Sequence, residues 1–142
     1  MLTFRDITLA DRELVMPMVQ AFYQTDAVDH PVDQVILDRS FLAAADHAEP
    51  LLRGVLLFEG EEPVGYLYLT QCYSAEVGGR MALIEELYFL PEYRRKGYGS
   101  QVFAWLKDRY PRARRLRLEV SEDNPDAARL YERLGFRWLN YG

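Results

Sequence analysis

Apolar and polar positions alternate with two different periods along this chain. Between positions 11 and 23, apolar residues recur at every third or fourth position, as on one face of a helix that Asp11 would cap. Between 114 and 120, Leu116, Leu118 and Val120 alternate with charged residues, as in a half-buried strand. The full pattern predicts strands at 2–8, 51–59, 64–73, 81–90, 114–120 and 136–141, and helices at 11–23, 32–45, from 97–100 to 110, and 125–134.

The same pattern predicts how the helices begin, end and pack. Pro17 lies inside the first helix and favours a kink or a later start. Gly135 suits the left-handed position that ends the last helix. The expected buried faces are Leu14, Val15, Met18, Val19 and Phe22 in the first helix, Val35, Ile36, Phe41 and Leu42 in the second, and Val102, Phe103 and Leu106 in the third.

The order of these elements indicates one domain. The three central strands follow one another through tight turns, which favours antiparallel pairing. We find no repeat, linker or low-complexity tract along the chain. We therefore expect a single domain over residues 1–142 of the α/β (α+β) class.

Composition narrows the class of protein. Of the 142 residues, 49% are hydrophobic and 27% are charged, which is typical of a globular chain, and no apolar run is long enough to span a bilayer. The net charge of −5 argues against nucleic acid as a partner. We see no secretory leader, and Cys72 is the single cysteine, so we expect a cytoplasmic protein. Cys72 itself is expected to be a small buried residue of its strand.

A glycine-containing loop before the third helix is the most informative segment. Over positions 92–100 the sequence reads Glu-Tyr-Arg-Arg-Lys-Gly-Tyr-Gly-Ser. Glycine lets the backbone approach a ligand closely, and the N–H groups at the start of a helix attract anions. Arg95 and Lys96 add positive charge, so the loop suits a polyphosphate. Neither the Walker pattern nor the Rossmann fingerprint is present.

Two motifs in a fixed order resemble one family. Arg94-x-x-Gly97-x-Gly99 is similar to the Arg/Gln-x-x-Gly-x-Gly/Ala loop that binds the CoA pyrophosphate in GCN5-related N-acetyltransferases (GNAT). From Asn124, the sequence Asn-Pro-Asp-Ala-Ala-Arg-Leu-Tyr-Glu-Arg-Leu-Gly-Phe resembles their Asn-x-x-Ala…Tyr…Gly-Phe signature. The resemblance is close over residues 84–136. It implies a mixed, mostly antiparallel sheet that splays between its fourth and fifth strands and is flanked by about four helices.

The resemblance also implies acetyl-CoA as cosubstrate. The segment Leu-Tyr-Phe-Leu-Pro at 87–91 resembles the family's fourth strand, whose backbone would polarise the thioester carbonyl and pair with the pantetheine arm. No metal is expected, because His30, His47 and Cys72 form no ligand set. Asn124 is also suited to capping its helix. The residues implied to contact the cofactor are Leu87, Tyr88, Phe89, Arg94, Arg95, Lys96, Gly97, Tyr98, Gly99, Ser100 and Asn124.

Three side chains are candidates for proton transfer. An attacking amine must lose a proton, and Glu85 resembles the glutamate that diamine acetyltransferases of this superfamily use as base. Its neighbour Glu86 is the second candidate. It would point to the opposite face of the strand, and a bulge in the strand would exchange the roles of the two glutamates. Tyr131 matches the tyrosine that the family places beside the CoA sulfur, and it is expected to protonate the leaving thiolate.

The acceptor is expected to be a primary amine of a small molecule or peptide. The segments at 23–34 and 72–81 would bind it, and their carboxylates and tyrosines favour a cationic amine. These carboxylates are Asp26, Asp29, Asp33 and Glu76.

Three further possibilities stay open at this stage. The family has one more strand after the one predicted at 136–141, and a homodimer would be a way to supply it. The chain would alternatively be a non-catalytic module that senses acyl-CoA. A nucleic-acid-binding role for the arginines at 112–117 is the third possibility, and the acidic net charge disfavours it.

Overall fold

The computed structural model describes residues 1–25, 31–119 and 125–137. In the last of these segments, side chains are described from residue 128 onward. These residues form five strands and four helices, with single turns of 3₁₀ helix at Leu9–Asp11 and Pro91–Tyr93. The strands are β1 (Leu2–Asp6), β2 (Arg53–Glu59), β3 (Glu62–Ser74), β4 (Gly79–Phe89) and β5 (Ala113–Leu118). The helices are α1 (Arg12–Phe22), α2 (Gln34–Ala45), α3 (Tyr98–Arg109) and α4 (Pro125–Arg133).

The five strands form one sheet in the order of the sequence. Pairing is antiparallel from β1 through β4 and parallel between β4 and β5, because α3 returns the chain to the same end of the sheet. The parallel ladder ends at the pair Ile84 and Leu118, although β4 continues to Phe89. The mixed sheet, its splay between β4 and β5 and its four helices confirm the fold expected from the sequence.

The sheet separates two hydrophobic cores, because alternate residues of each strand point to opposite faces. On the α1–α2 face, the core residues include Ile7, Val15, Val19, Phe41, Leu56, Tyr66, Tyr68 and Tyr88. On the α3 face, they include Leu57, Val64, Leu67, Leu69, Ala82, Ile84, Val102, Phe103 and Leu106.

A bulge at Glu85 changes the face of the sheet to which the following residues of β4 point. Leu69 of β3 pairs with Ile84 and Tyr68 pairs with Glu86, so Glu85 is the extra residue on β4. Without the bulge, Ile84 and Glu86 would point to the same face. With it, Ile84 packs on the α3 face, whereas Glu86 points to the α1–α2 face and contacts Tyr66 there.

The buried face of α2 differs from the expected one. Phe41 is buried as expected, but Val35, Ile36 and Leu42 are exposed. The helix buries Leu37, Phe41, Ala44 and Ala45 instead. Small residues face the sheet because the helix lies very close to it: a Cβ added to Gly54 would lie 2.9 Å from the Cβ of Ala44. Leu14 of α1 is likewise exposed rather than buried.

Three other expectations have different outcomes. Cys72 is exposed, not buried, because β3 runs past its last pair with β2, at Leu69, and its end is poorly covered. Helix α1 starts at Arg12 and runs through Pro17, so its start is not delayed. Of the strand predicted at 136–141, residues 138 onward lie outside the described residues, as does the proposed cap Asn124.

Candidate active site

The loop after β4 has two residues in the left-handed region. Arg95 has φ of 62° and Gly97 has φ of 77°, and α3 begins immediately afterwards at Tyr98. A left-handed φ is strained for arginine and not for glycine, so the loop is held in a specific shape. The first N–H groups of α3, which have no partner within the helix, follow this loop directly.

Side chains of the same loop anchor it to β4. The Nε of Arg94 donates to the carbonyl oxygen of Phe89 at 2.9 Å, and its guanidinium lies 5.2 Å from the centre of the Tyr88 ring. The Tyr98 ring packs 5.9 Å from the Phe89 ring. The positions of Arg94 and Tyr98 are therefore fixed by contacts with the strand, whereas Arg95, Lys96 and Ser100 are exposed.

Among the described residues, the end of β4 has a partner strand on one side only, and we call its other side the free edge. Leu87, Tyr88 and Phe89 pair with β3 on one side and lie beyond the end of the parallel ladder with β5 on the other. Leu87 and Phe89 are half-buried toward α3, and Tyr88 is buried toward α1. Backbone groups on the free edge are thus available to an extended ligand that adds to the sheet like a strand.

The two sequence motifs meet where α4 packs against the start of α3. A Cβ added to Gly99 would lie 3.3 Å from Leu130, so the glycine allows the close approach of the two helices. The Tyr131 ring meets Phe103 of α3 edge-on at 5.8 Å. Helix α4 then ends at Gly135, with φ of 97°, and the Phe136 N–H donates to the Tyr131 carbonyl at 3.0 Å. Tyr131 is thereby held against α3.

The surroundings of Tyr131 keep its phenol protonated. The ring is half-buried among apolar side chains, and burial raises the pKa of Tyr131 above its ordinary value. Within the described residues, its hydroxyl has no hydrogen-bond partner. The group is therefore a neutral donor that is not committed to the protein's own contacts.

The two candidate glutamates lie in very different surroundings. Glu85, at the bulge, is exposed. Glu86 is only 9% exposed, and its carboxylate accepts hydrogen bonds from Tyr66, at 2.7 Å, and from Tyr23, at 2.5 Å. Burial raises the pKa of Glu86, as does the charge of Glu85, while the two hydrogen bonds act in the opposite direction. Glu86 is thus a buried carboxylate whose affinity for a proton is increased.

Tyrosines line this carboxylate, and the sequence analysis did not single them out. Tyr68 lies opposite Glu86 in the ladder, and its ring packs 5.0 Å from the Tyr66 ring. Burial first, and then the charge of Glu86, raise the pKa of Tyr68. The signal in the sequence was two tyrosines at alternate positions of a strand, where an apolar pair is usual. The role of these two tyrosines depends on which of the two glutamates points toward them, and the sequence does not show this.

We next consider the rest of the described chain. Within the described residues, no three His, Cys, Asp or Glu side chains are grouped so as to hold a metal, and none of the helices there is long and apolar enough to cross a membrane. A cavity of about 220 Å³ lies at the opposite end of the sheet. In its lining, Arg53 donates to Asp6 at 2.8 Å and to Tyr110 at 2.7 Å.

Comparison with known proteins identifies the fold and the family. No curated protein matches the chain. Among solved structures, a possible acetyltransferase from Clostridium difficile 630 is 21% identical, with a TM-score of 0.80 over 99% of this chain and 93% of the other. The ribosomal-protein-alanine N-acetyltransferase from Brucella melitensis biovar Abortus 2308 is 18% identical, with a TM-score of 0.75 over 100% and 97%.

A third structure contains a ligand that joins the two substrates. AAC(6')-Iy in complex with the bisubstrate analogue CoA-S-monomethyl-acetylneamine is 16% identical, with a TM-score of 0.71 over 100% of this chain and 97% of the other. The family model described as "Acetyltransferase (GNAT) family" matches residues 15–136, a range that includes both motifs. The chain belongs to the GNAT acetyltransferase family.

Proposed function

We propose that this protein is an acetyl-CoA-dependent N-acetyltransferase that acts on a primary amine of a small molecule or peptide. One observation supports the proposal above all others: a buried carboxylate, Glu86, lies on the strand whose neighbouring residues form the free edge of the sheet. Membership of the family supports acetyl transfer in general. The presence of both a candidate proton acceptor, Glu86, and a candidate proton donor, Tyr131, supports catalysis rather than binding alone.

The residues of the loop and of the free edge fit CoA. The loop with left-handed backbone at Arg95 and Gly97 and the start of α3 would bind the pyrophosphate, with positive charge from Lys96. The backbone of residues 87–89 would bind the pantetheine arm. Acetyl-CoA, when bound, supplies an acetyl group activated as a thioester. Arg94 would contribute by fixing the loop on β4, and the other cofactor residues implied by the sequence remain predictions.

We assign the role of base to Glu86 in preference to Glu85. A protonated amine must lose a proton before it can attack, and the ideal acceptor has a pKa raised toward neutrality. Burial gives Glu86 this property, whereas Glu85 is exposed on the bulge. In the proposed step, one proton passes from the ammonium nitrogen to the Glu86 carboxylate and later to solvent. The nitrogen then attacks the thioester carbon and loses its second proton to solvent as the amide forms.

We assign the role of acid to Tyr131. When the carbon–sulfur bond breaks, the departing thiolate needs a proton, and the phenol of Tyr131 would donate it. A phenolate formed there would be unfavourable because the ring is half-buried, so its proton would be regained from solvent at the end of the cycle.

The test combines binding and turnover. Isothermal titration with acetyl-CoA is run beside a thiol-release assay on three amines: a polyamine, neamine and a peptide with an N-terminal alanine. Because Cys72 is exposed, a Cys72→Ser background prevents the protein from consuming the thiol reagent. We expect binding, and release of thiol with at least one amine.

Two matched variants then test the assigned roles. We expect Glu86→Gln to lower kcat/KM by about a hundredfold or more with unchanged acetyl-CoA affinity, and Glu85→Gln to change kcat/KM little. Tyr131→Phe should lower kcat by a similar factor. A large loss of kcat/KM in Glu85→Gln, with little loss in Glu86→Gln, would assign the role of base to Glu85 instead. Binding without thiol release would support the acyl-CoA-sensing module, and absence of binding would refute the proposal.

A further inference from the structure

The two oxygens of the Glu86 carboxylate have hydrogen-bond donors of unequal accessibility. Oε1 accepts from the Tyr66 hydroxyl, and the Tyr66 side chain is fully buried in the centre of the sheet. Oε2 accepts from the Tyr23 hydroxyl, and Tyr23 is a half-buried residue that ends α1. A ligand would displace Tyr23 far more easily than Tyr66, since moving Tyr66 would open the core.

The surroundings of Oε2 favour a cation. Phe22 packs edge-on against Tyr23 at 5.2 Å and against Tyr66 at 6.4 Å, so aromatic rings exclude water from one side of the carboxylate. Ring faces attract ammonium groups, and the attraction strengthens when water is excluded. A carboxylate among such rings is suited to an alkylammonium group rather than to a neutral hydroxyl compound.

An independent observation points to a ligand at the same place. The hydroxyl of Tyr68 is fully buried and lacks a hydrogen-bond partner in the part of the chain that the structure describes. Tyr68 is 2% exposed and lies opposite Glu86 in the ladder, so its ring is on the same face. A buried hydroxyl without a partner is unfavourable, and an ammonium group, with three N–H donors, has one to offer it.

We infer that Tyr23 is a specificity-determining residue: its hydroxyl and the ammonium group of the acceptor compete for Oε2 of Glu86. The acceptor must therefore supply a charged ammonium group that replaces the phenol as donor. This inference rests on the proposed function for its catalytic meaning, but the competition itself is a binding property. It gives Tyr23 a role that is separate from proton transfer.

The competition predicts a particular dependence on pH. Within the described residues, the titratable groups that face Glu86 are Tyr23, which follows α1, Tyr66 and Tyr68 from β3, and Glu85 on its own strand. Removing the Tyr23 donor takes a hydrogen bond from the charged carboxylate, so the pKa of Glu86 should rise. The acidic limb of kcat/KM should move to higher pH in Tyr23→Phe, and a purely structural role would not move it.

The first experiment needs no turnover. The protein is labelled with ¹³C at the tyrosine Cζ atoms, and the signals of Tyr23 and Tyr66 are assigned with the two Tyr→Phe variants. n-Butylammonium chloride is then added, with n-butanol and sodium chloride as matched controls. We expect the Tyr23 signal to move with n-butylammonium alone while the Tyr66 signal stays in place. Movement of Tyr66 alone, movement with n-butanol, or no movement of either would overturn the inference.

The second experiment uses an amine that the wild-type protein acetylates. At a pH above the acidic limb, Tyr23→Phe should lower KM for that amine by about tenfold, because a competitor has been removed. Tyr66→Phe, the matched loss of the other donor, should not lower KM. An unchanged or higher KM in Tyr23→Phe would contradict competition. If the wild type shows no turnover but Tyr23 responds to n-butylammonium, the proposed function fails and the competition stands.

Discussion

The two faces of the sheet differ in what they bury. The α3 face is filled by aliphatic side chains and Phe103, without a charged group among its fully buried members. The α1–α2 face contains three buried tyrosines and, among them, the carboxylate of Glu86. The same strands supply both faces, so the difference comes from single alternate positions: Tyr66 and Tyr68 on one side, Leu67 and Leu69 on the other.

Because of this difference, we expect the two faces to contribute differently to the stability of the fold and to proton transfer. An aliphatic core contributes through the apolar area removed from water and through dense packing. A buried carboxylate opposes folding when it is ionised, and the hydrogen bonds from Tyr23 and Tyr66 offset part of that effect. We expect substitutions on the α3 face to affect mainly the free energy of unfolding, and those around Glu86 to affect mainly proton transfer and its pH dependence.

The largest expected effect on stability is on the α3 face. Leu106 is fully buried, and Leu106→Ala should lower the free energy of unfolding by about 2–5 kcal/mol, because a cavity remains. Leu42→Ala is the matched control, since Leu42 is 53% exposed on α2, and should change it by less than about 0.5 kcal/mol. Urea denaturation measures both. Similar losses in the two variants would show that α2 is covered in solution.

An intermediate effect is expected at the edge where the faces meet. Gly97→Ala places a side chain at φ of 77°, which should cost about 1 kcal/mol of stability and weaken acetyl-CoA binding by about the same energy, or about fivefold. Gly60→Ala is the matched control, because Gly60 has φ of 62° in the turn between β2 and β3. It should show the same loss of stability without loss of affinity, as measured by denaturation and isothermal titration. Equal affinities in the two variants would exclude Gly97 from the cofactor site.

The smallest expected effect is a difference in the pH dependence of stability on the α1–α2 face. Burial raises the pKa of Glu86 in the folded state, so between its ordinary value of about 4.5 and the raised value the folded protein binds more protons than the unfolded chain. The wild type should therefore lose stability relative to Glu86→Gln as pH rises through that window, by about 1.4 kcal/mol for every pH unit that the window spans. Denaturation at several pH values measures this loss, and a constant difference would contradict a raised pKa.

Much of the fold was predictable because its signals are local. Alternation of apolar and polar residues identified the strands, and helical periodicity identified the helices. Glycine identified the turns at Gly97 and Gly135, and both residues have positive φ values. The buried face of α2 was not predictable, since Val35, Ile36 and Leu42 satisfy a helical stripe as well as the observed one does. The close approach over Gly54, a long-range contact, selects the alanine face instead.

The sequence by itself determined the family, because the two motifs that carry it depend on residue types at fixed spacing. It also offered a candidate cofactor loop, Tyr131 as a candidate acid and two adjacent glutamates as candidates for the base. Only the tertiary structure separated them: the pairing of β3 with β4 places the bulge at Glu85, and this reverses the side to which Glu86 points. The register of two strands is decided by contacts along their whole length, so no local pattern contains it.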